Sequence, residues 1–150
     1  MPQFQTSSTI AESELCHATK ECDIYFHKAL KAVESKWKGL FMHTEQLQQI
    51  FDKIIEVLKA KQVSTAILDI RKMKVISGAD QLWIINNWCP RAIDAGFKRQ
   101  ALVITTDSFS EVAFKNIVRH YNHDKIRTAY FTGIKEAYNW ASATGDQNVK

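Results

Sequence analysis

Glycine is scarce in this chain: five residues among 150, scattered at positions 39, 78, 96, 133 and 145. A phosphate-binding loop, a dinucleotide-binding fingerprint and a nucleophile elbow each need glycines at fixed short spacings. None of these motifs is present, and no Ser, His and acid set is indicated by spacing. We therefore expect a protein that is not an enzyme and that uses no cofactor.

Cysteine and long apolar runs are also scarce. Three cysteines are an odd number, which does not fit a framework of disulfides and is typical of free thiols in a reducing compartment. The start MPQFQTSSTIAESELC lacks the basic residues and the continuous apolar stretch of a secretory signal. The longest apolar runs are too short to cross a bilayer. These absences predict a cytoplasmic protein without a membrane span.

No segment concentrates charge of one sign. Twenty Lys and Arg residues against sixteen Asp and Glu residues give a net charge of +4, spread over many segments. A nucleic-acid binder of this size usually gathers its positive charge on one face or helix. We therefore expect no nucleic-acid partner.

Side chains that bind metals occur in two loose groups. Structural zinc sites usually show two tight pairs of Cys or His, and neither group has that spacing. No metal site is predicted. The residues of the two groups are Cys16, His17, Cys22 and His27, and then His120, His123 and Asp124.

The first third of the chain predicts an extension, a hairpin and a helix. Residues 1–20 are polar without a clear period, which indicates a flexible or loosely packed extension. The sequence CDIYFHKALKAVESKWKG at 22–39 alternates apolar and polar residues and predicts an antiparallel hairpin. Residues 44–62 predict a helix with Thr44 as N-cap. The apolar face of this helix carries Leu47, Ile50, Phe51, Ile54, Ile55 and Leu58.

In the rest of the chain, short apolar runs alternate with helical segments. This alternation is typical of parallel strands joined by helical crossovers. We predict an α/β fold with one domain over residues 21–144: a mixed, mostly parallel sheet of about five strands, with an N-terminal antiparallel hairpin and about four flanking helices. A frayed tail is expected over 145–150. The predicted strands are TAILDI, QALVITT and IRTAYF, and the predicted helices span 78–95, 108–121 and 134–143.

Pro90 interrupts the helical pattern DQLWIINNWCPRAIDAG. Because proline removes one N–H group and crowds the preceding turn, a kink or break is expected near Asn87. Trp83 lies on a different side of this helix from Leu82, Ile85 and Cys89, and Trp88 lies between the two sides. Exposed Trp would mark a partner or ligand surface, and Trp packed under a kinked helix is the alternative. Leu82, Ile85 and Cys89 are predicted to face the sheet, and Gly96 to end the helix.

Four motifs occur in an order and at spacings that resemble the SpoIIAA-like branch of the STAS domain superfamily. They are WKG at 37–39, LDIRKM at 68–73, DQLWIINNWCPRAIDAG at 80–96 and AYNWAS at 137–142. The resemblance covers about residues 22–143. It implies a mixed sheet flanked by helices, and a binding or regulatory role rather than catalysis.

The joint between the strand that ends near Asp69 and the helix that starts near Gly78 has three interpretations. Ser77 and Asp80 approximate a capping box. Alternatively, the basic loop residues and the free N–H groups of the helix bind an anion at the carboxyl edge of the sheet. The third is phosphorylation: in related anti-sigma-factor antagonists a phosphorylated serine caps this helix, but here Gly78 holds that position and Ser77 lies one residue early. Asp69 is expected to pair with Arg71 or a backbone N–H group.

A second joint, TTDSFSE, repeats this arrangement. Asp107 or Ser108 is the expected N-cap, and Glu111 completes Ser-x-x-Glu. Two such joints after parallel strands belong at the same edge of the sheet, where ligands of α/β proteins usually bind.

The leading functional hypothesis is a regulatory module that binds a protein partner through these loops and the Trp-bearing helix. The alternative is a carrier of a small apolar or amphipathic ligand, and a homodimer is an open option. The residues assigned to the ligand or partner surface are Arg71, Lys72, Lys74, Ser77, Gly78, Trp83, Trp88, Asp107 and Ser108.

Overall fold

The structure, a computed structural model, describes residues 13–39, 42–121 and 124–147, with side chains as far as residue 142. Strands and helices alternate after an initial group of three strands. The strands are β1 Ser13–Ala18, β2 Cys22–His27, β3 Ala32–Trp37, β4 Thr65–Asp69, β5 Arg99–Val103 and β6 Arg127–Phe131. The helices are α1 Thr44–Lys61, α2 Gly78–Trp83, α3 Cys89–Asp94, α4 Phe109–Arg119 and α5 Ile134–Gln147, and a π-helical turn, Ile84–Trp88, joins α2 to α3.

All six strands form one sheet in the order β1-β2-β3-β4-β5-β6. The first three strands are antiparallel, and β3 to β6 are parallel to one another. This arrangement confirms the predicted α/β fold with its N-terminal hairpin. Ligand sites of open α/β sheets favour the point where the strand order reverses. The described strands have no such point.

The sheet has one strand more than predicted. Residues 1–20 were expected to form an extension, and this prediction is wrong for residues 13–18, which form β1. Ser13 lies opposite His27 and Ala18 opposite Asp23, so this segment pairs with β2 as an edge strand. Its side chains are exposed or half-buried. It therefore lacks the apolar alternation that reveals a strand in a sequence. Residues 1–12 lie outside the described residues.

Helices α1 to α4 cover one face of the sheet and α5 covers the other, so a core lies on each face. The six α1 residues predicted for its apolar face are all buried, which confirms that prediction. The larger core includes Ile24, Trp37, Phe51, Leu68, Trp88, Phe97, Leu102 and Phe114, and the smaller includes Leu30, Ile67, Ala101, Val103, Ala137 and Ala141. None of the described helices is long and apolar enough to span a membrane.

The N-cap of α1 is His43 rather than Thr44. The His43 backbone N–H donates to Gln46 Oε1 at 2.8 Å. The Thr44 hydroxyl donates instead to Asp80 Oδ1 at 2.9 Å. The predicted cap is wrong because this hydroxyl is used to join α1 to the start of α2.

The irregularity predicted near Asn87 is a π-helical turn. The Cys89 N–H donates to the carbonyl of Ile84, five residues earlier, and Pro90 follows in the first turn of α3. Pro90 has no N–H group, so the regular series of helical hydrogen bonds is interrupted at this residue. The helix axis therefore continues with one extra residue in a single turn.

The side chains of this interrupted helix differ in their burial. Trp88 is fully buried and Cys89 is 4% exposed, whereas Leu82 is 58% exposed and Ile85 is half-buried. The prediction for Cys89 is confirmed, and the prediction that Leu82 faces the sheet is wrong. Gly96 has a φ of 106° just after α3 ends. It therefore terminates this helix as predicted, because its backbone conformation favours glycine.

The last helix is longer than predicted. It runs to Gln147, so the frayed tail expected over 145–150 is wrong for the backbone of residues 145–147. Gly145 costs about 1 kcal/mol in a helix interior relative to Ala. Packing of Ala137 and Ala141 against the sheet stabilises α5. Residues 148–150 lie outside the described residues.

Candidate functional site

The two strand-to-helix joints lie side by side, as predicted, at the carboxyl edge of β4 and β5. Thr105 Oγ1 donates to the carbonyl of Arg71 at 3.2 Å, and Ser110 Oγ donates to the carbonyl of Ile70 at 3.1 Å. Both bonds run from the second joint to the first. The loop after β4, residues 71–77, is therefore anchored against the start of α4.

Arg71 is held by Asp69. Its Nε and Nη2 donate to Asp69 Oδ1 and Oδ2 at 2.9 and 2.7 Å, which is a bidentate pair. The hydrogen bond to Asp69 is the main reason why the pKa of Arg71 is raised. The predicted pairing of the two residues is confirmed. Because the Asp69 carboxylate neutralises the guanidinium, Arg71 attracts an anion less than an unpaired arginine would. Lys72 and Lys74, the other basic residues of the loop, are exposed.

Ser77 is the N-cap of α2, as predicted. Its Oγ accepts from the backbone N–H of Asp80 at 3.0 Å. The carboxylate of Asp80 does not complete the box, since its Oδ1 accepts from Thr44. Ser77 and Gly78 are exposed, and an acid in the first turn disfavours an anion there. Phosphorylation of Ser77 stays a prediction.

At the second joint, Ser108 rather than Asp107 is the N-cap. Ser108 Oγ accepts from the Glu111 N–H at 3.0 Å, and the Asp107 N–H donates to Glu111 Oε1 at 2.6 Å. Glu111 Oε2 lies 2.9 Å from Lys115 Nζ. The Lys115 hydrogen bond, and then the Asp107 N–H, lower the pKa of Glu111. The acid of this joint is thus neutralised within α4.

The two tryptophans of the kinked helix have different surroundings. Trp88 is fully buried, its Nε1 donates to the carbonyl of Phe51 at 2.6 Å, and its ring packs edge-on against Phe51 and Phe97. This burial removes Trp88 from the surface assigned to a partner. Trp83 is half-buried, and the guanidinium carbon of Arg91 lies 5.7 Å from its ring centroid.

A groove of about 690 Å³ runs between the loop after β4 and α4. Val75 of the loop is 59% exposed, and Phe109 and Val112 of α4 are 76% and 65% exposed. Buried Ile76 and Ala113 also line it. We call this feature the apolar groove, and its polar lining residues are Gln81, Lys115, Asn116 and Arg119.

Sequence reasoning missed the contribution of α4 to this groove. The sheet-facing side of α4 carries Phe114, Ile117 and Val118. Phe109, Val112 and Ala113 are spaced three and four residues apart, so they form a second strip on the helix. An amphipathic surface helix needs only one apolar strip. Phe109 and Val112 were the available signal, because both are exposed, whereas Ala113 belongs to the core.

A buried polar cluster, which sequence reasoning also missed, lies on the other face of the sheet. His27 Nε2 lies 2.6 Å from Glu34 Oε1, and the Tyr138 hydroxyl donates to the same oxygen at 2.7 Å. His27 and Glu34 are only 2% and 3% exposed. Burial, and then the charge of Glu34, raise the pKa of Tyr138. Because the cluster is enclosed, it ties α5 to β2 and β3 and gives a substrate no access.

The residues of the first loose metal-type group do not converge. Cys22 belongs to the core under α1, whereas His27, on the same strand, contacts Tyr138 of α5 on the opposite face. In the second group, His120 Nδ1 lies 2.9 Å from the carbonyl of Asn116, and His123 lies outside the described residues. Across residues 13–39, 42–121 and 124–147, no three His, Cys, Asp or Glu side chains form a group that could hold a metal ion.

Comparisons with known proteins add no assignment to this geometry. No family model, no curated protein and no solved structure matches the chain. The resemblance to SpoIIAA-like proteins therefore stays a prediction from the four motifs.

Proposed function

We propose that this chain is a non-catalytic binding module of the SpoIIAA-like type, and that it engages a protein partner through the apolar groove. The observation that carries the proposal is the exposure of three large apolar side chains, Val75, Phe109 and Val112, around one groove. Scattered exposed apolar residues are ordinary, but contiguous ones are typical of binding surfaces. The groove also adjoins the two joints that the sequence assigned to a partner surface.

Phe109 supports an energetic argument for a partner. Burying a Phe side chain removes about 150–250 Å² from water. Since full burial of a Phe side chain contributes ~1.5–3 kcal/mol and Phe109 is already about a quarter buried, covering the rest contributes about 1–2 kcal/mol, before the entropy cost of association. One such aromatic anchor in a groove is the usual centre of an interface.

The charges at the groove define the partner further. Lys115 and Arg119 of α4 line the groove, and Glu111, the one acid of α4, is paired with Lys115. The charge of Arg119 is therefore the positive charge that α4 offers a partner. We therefore expect a helical segment that inserts apolar side chains three or four residues apart, with acidic residues beside them.

The carrier hypothesis would use the same groove, whose volume lies in the range of small-molecule sites. Small-molecule sites usually bury most of the ligand surface. Phe109 and Val112 instead stand out into solvent, which favours a protein segment over a small ligand.

The test is a selection from a displayed library of helical peptides on the full chain. We expect enrichment of peptides with apolar residues at helical spacing and acidic neighbours. Phe109→Ser should weaken the selected peptides roughly 30-fold or more, as loss of an aromatic anchor usually does. Leu82→Ser is the matched control, because Leu82 is 58% exposed but does not line the groove.

Two results would contradict the proposal. One is a failure to enrich any such peptide, and the other is equal loss of binding in the Leu82 and Phe109 variants. Sedimentation of the free chain adds a check on self-association. A dimer that Phe109→Ser dissociates would identify the partner as a second copy.

A further inference from the structure

A second cavity, of about 750 Å³, lies at the amino edge of the parallel strands, opposite the edge that carries the apolar groove. The turn between β2 and β3, the ends of α1 and α3, the start of β5 and one side of α5 surround it. None of the sequence motifs pointed to this edge.

The lining of this cavity is strongly basic. Four cations line it, Lys31, Lys59, Lys98 and Arg99, against one carboxylate, Asp94. No ion pair between described residues involves any of the four cations. The C-terminal ends of α1 and α3 also face the cavity. Their backbone carbonyl groups carry partial negative charge, which explains why one or two lysines lie nearby. They do not account for a buried guanidinium.

Arg99 is the unusual member of this set, because it is a cation that is only 7% exposed. Its Nη1 donates to Thr65 Oγ1 and its Nη2 to the carbonyl of Trp140, each at 3.0 Å, and both acceptors are neutral. Its Nε is buried and has no hydrogen-bond partner. The guanidinium carbon lies 4.2 Å from the centroid of the Trp140 ring.

The electrostatic balance of Arg99 is unfavourable without an anion. Buried charges in proteins are normally paired with an opposite charge. Burial and then the neighbouring charge of Arg127 lower the pKa of Arg99. An anion in the cavity would offset both effects, because it would bring a negative charge to a guanidinium that no described carboxylate neutralises.

We propose that the cavity at the amino edge is an anion site that binds a phosphomonoester dianion through Arg99, Lys31 and Lys98. Several cations that converge on one cavity favour a dianion over a single carboxylate, and guanidinium groups bind phosphate oxygens with charge-assisted hydrogen bonds. The cavity is larger than a phosphate ion, so it has room for the organic part of a small phosphorylated molecule.

Replacement of Lys31 tests the effect of one positive charge on binding without disturbing the fold. Its φ of 53° is a left-handed conformation that glycine adopts at no steric cost. Lys31→Gly therefore removes a cation from the cavity and preserves the turn. Lys135→Ser is the control, because Lys135 is an exposed lysine in the first turn of α5 and lines neither this cavity nor the apolar groove.

The experiment measures thermal unfolding and calorimetric binding with inorganic phosphate and with glycerol phosphate, against chloride at equal ionic strength. We expect both phosphates, but not chloride, to raise the Tm of the wild-type chain and of Lys135→Ser, since a ligand of the folded state stabilises it. Lys31→Gly should bind glycerol phosphate roughly tenfold more weakly, as loss of one charged contact predicts. Arg99→Met should abolish binding and unfold at a Tm no lower than that of the unliganded wild-type chain.

Equal effects of chloride and phosphate on Tm would overturn the proposal, as would unchanged affinity in both Lys31→Gly and Arg99→Met. Vesicles that contain phosphatidic acid distinguish the source of the phosphomonoester. Binding to glycerol phosphate without binding to vesicles assigns a soluble ligand, whereas binding to both assigns a lipid headgroup.

Discussion

Replacement of Trp88 by Phe tests whether the π-helical turn directs this side chain into the core. Trp88 is fully buried and donates to the carbonyl of Phe51 at 2.6 Å. Loss of that hydrogen bond costs about 1 kcal/mol, and the space left beside Phe51 and Phe97 costs about 1–2 kcal/mol more. We therefore expect the free energy of unfolding to fall by about 2–3 kcal/mol. Trp83→Phe is the matched control, with an expected loss below about 1 kcal/mol because Trp83 is half-buried.

The assay is urea unfolding followed by far-ultraviolet circular dichroism, because tryptophan fluorescence changes with the substitution itself. The midpoints should differ between the two variants with unchanged slopes. The reasoning about the π-helical turn would be refuted if both variants lost the same stability. Because the chain has three other tryptophans, the quenching of Trp88 by acrylamide is obtained as the difference between the wild-type chain and Trp88→Phe. A Trp88 signal that is quenched in the native chain as fast as in the unfolded chain would refute it as well.

Three further predictions concern the buried polar cluster and the thiols. Tyr138→Phe removes the hydroxyl that donates to Glu34 at 2.7 Å, so the free energy of unfolding should fall by about 1–3 kcal/mol. The control Tyr25→Phe should change it little. Equal losses in the two variants would contradict a stabilising role of this hydrogen bond. Burial raises the pKa of Cys89 to about 11, so roughly one thiol in a thousand is ionised at pH 8. A thiol-specific reagent should then label half-buried Cys16 before Cys89, and mass spectrometry of digests gives the order. The pKa of this thiol is near 9 in the unfolded chain and higher in the folded chain, so Cys89 lowers the free energy of unfolding as the pH rises from 9 to 11. A free energy of unfolding that stays constant over this interval would contradict this prediction. An equal pH dependence in Cys89→Ala would contradict it as well.

Local signals in the sequence predicted much of the fold correctly. Ser77 and Ser108 were identified as helix starts because capping depends on a hydroxyl and an N–H group three residues later. The buried face of α1 followed from apolar spacing, which is also local. Edge strand β1 was missed because its pairing with β2 is fixed by the backbone and not by an apolar pattern.

The sites were less predictable, because each depends on segments far apart in the chain. Phe109 was not assigned to the partner surface, because the groove forms only where the loop after β4 lies beside α4 in the folded chain. Glu34 and Tyr138 meet although they are 104 residues apart. Trp88 was assigned to the surface, with packing under the helix as the alternative, because the spacing within one helix does not show which side the rest of the chain covers.

The sequence by itself determined the elements of this protein: the alternation of strands and helices, the capped joints after β4 and β5, and the pairing of Asp69 with Arg71. These features depend on neighbours a few residues away, so composition and spacing specify them. Only the tertiary structure decided which charges are left unpaired and which apolar side chains are left exposed. Arg99 and Phe109 are ordinary residues in the sequence. They become candidate binding residues because folding buries one without an acid and leaves the other uncovered.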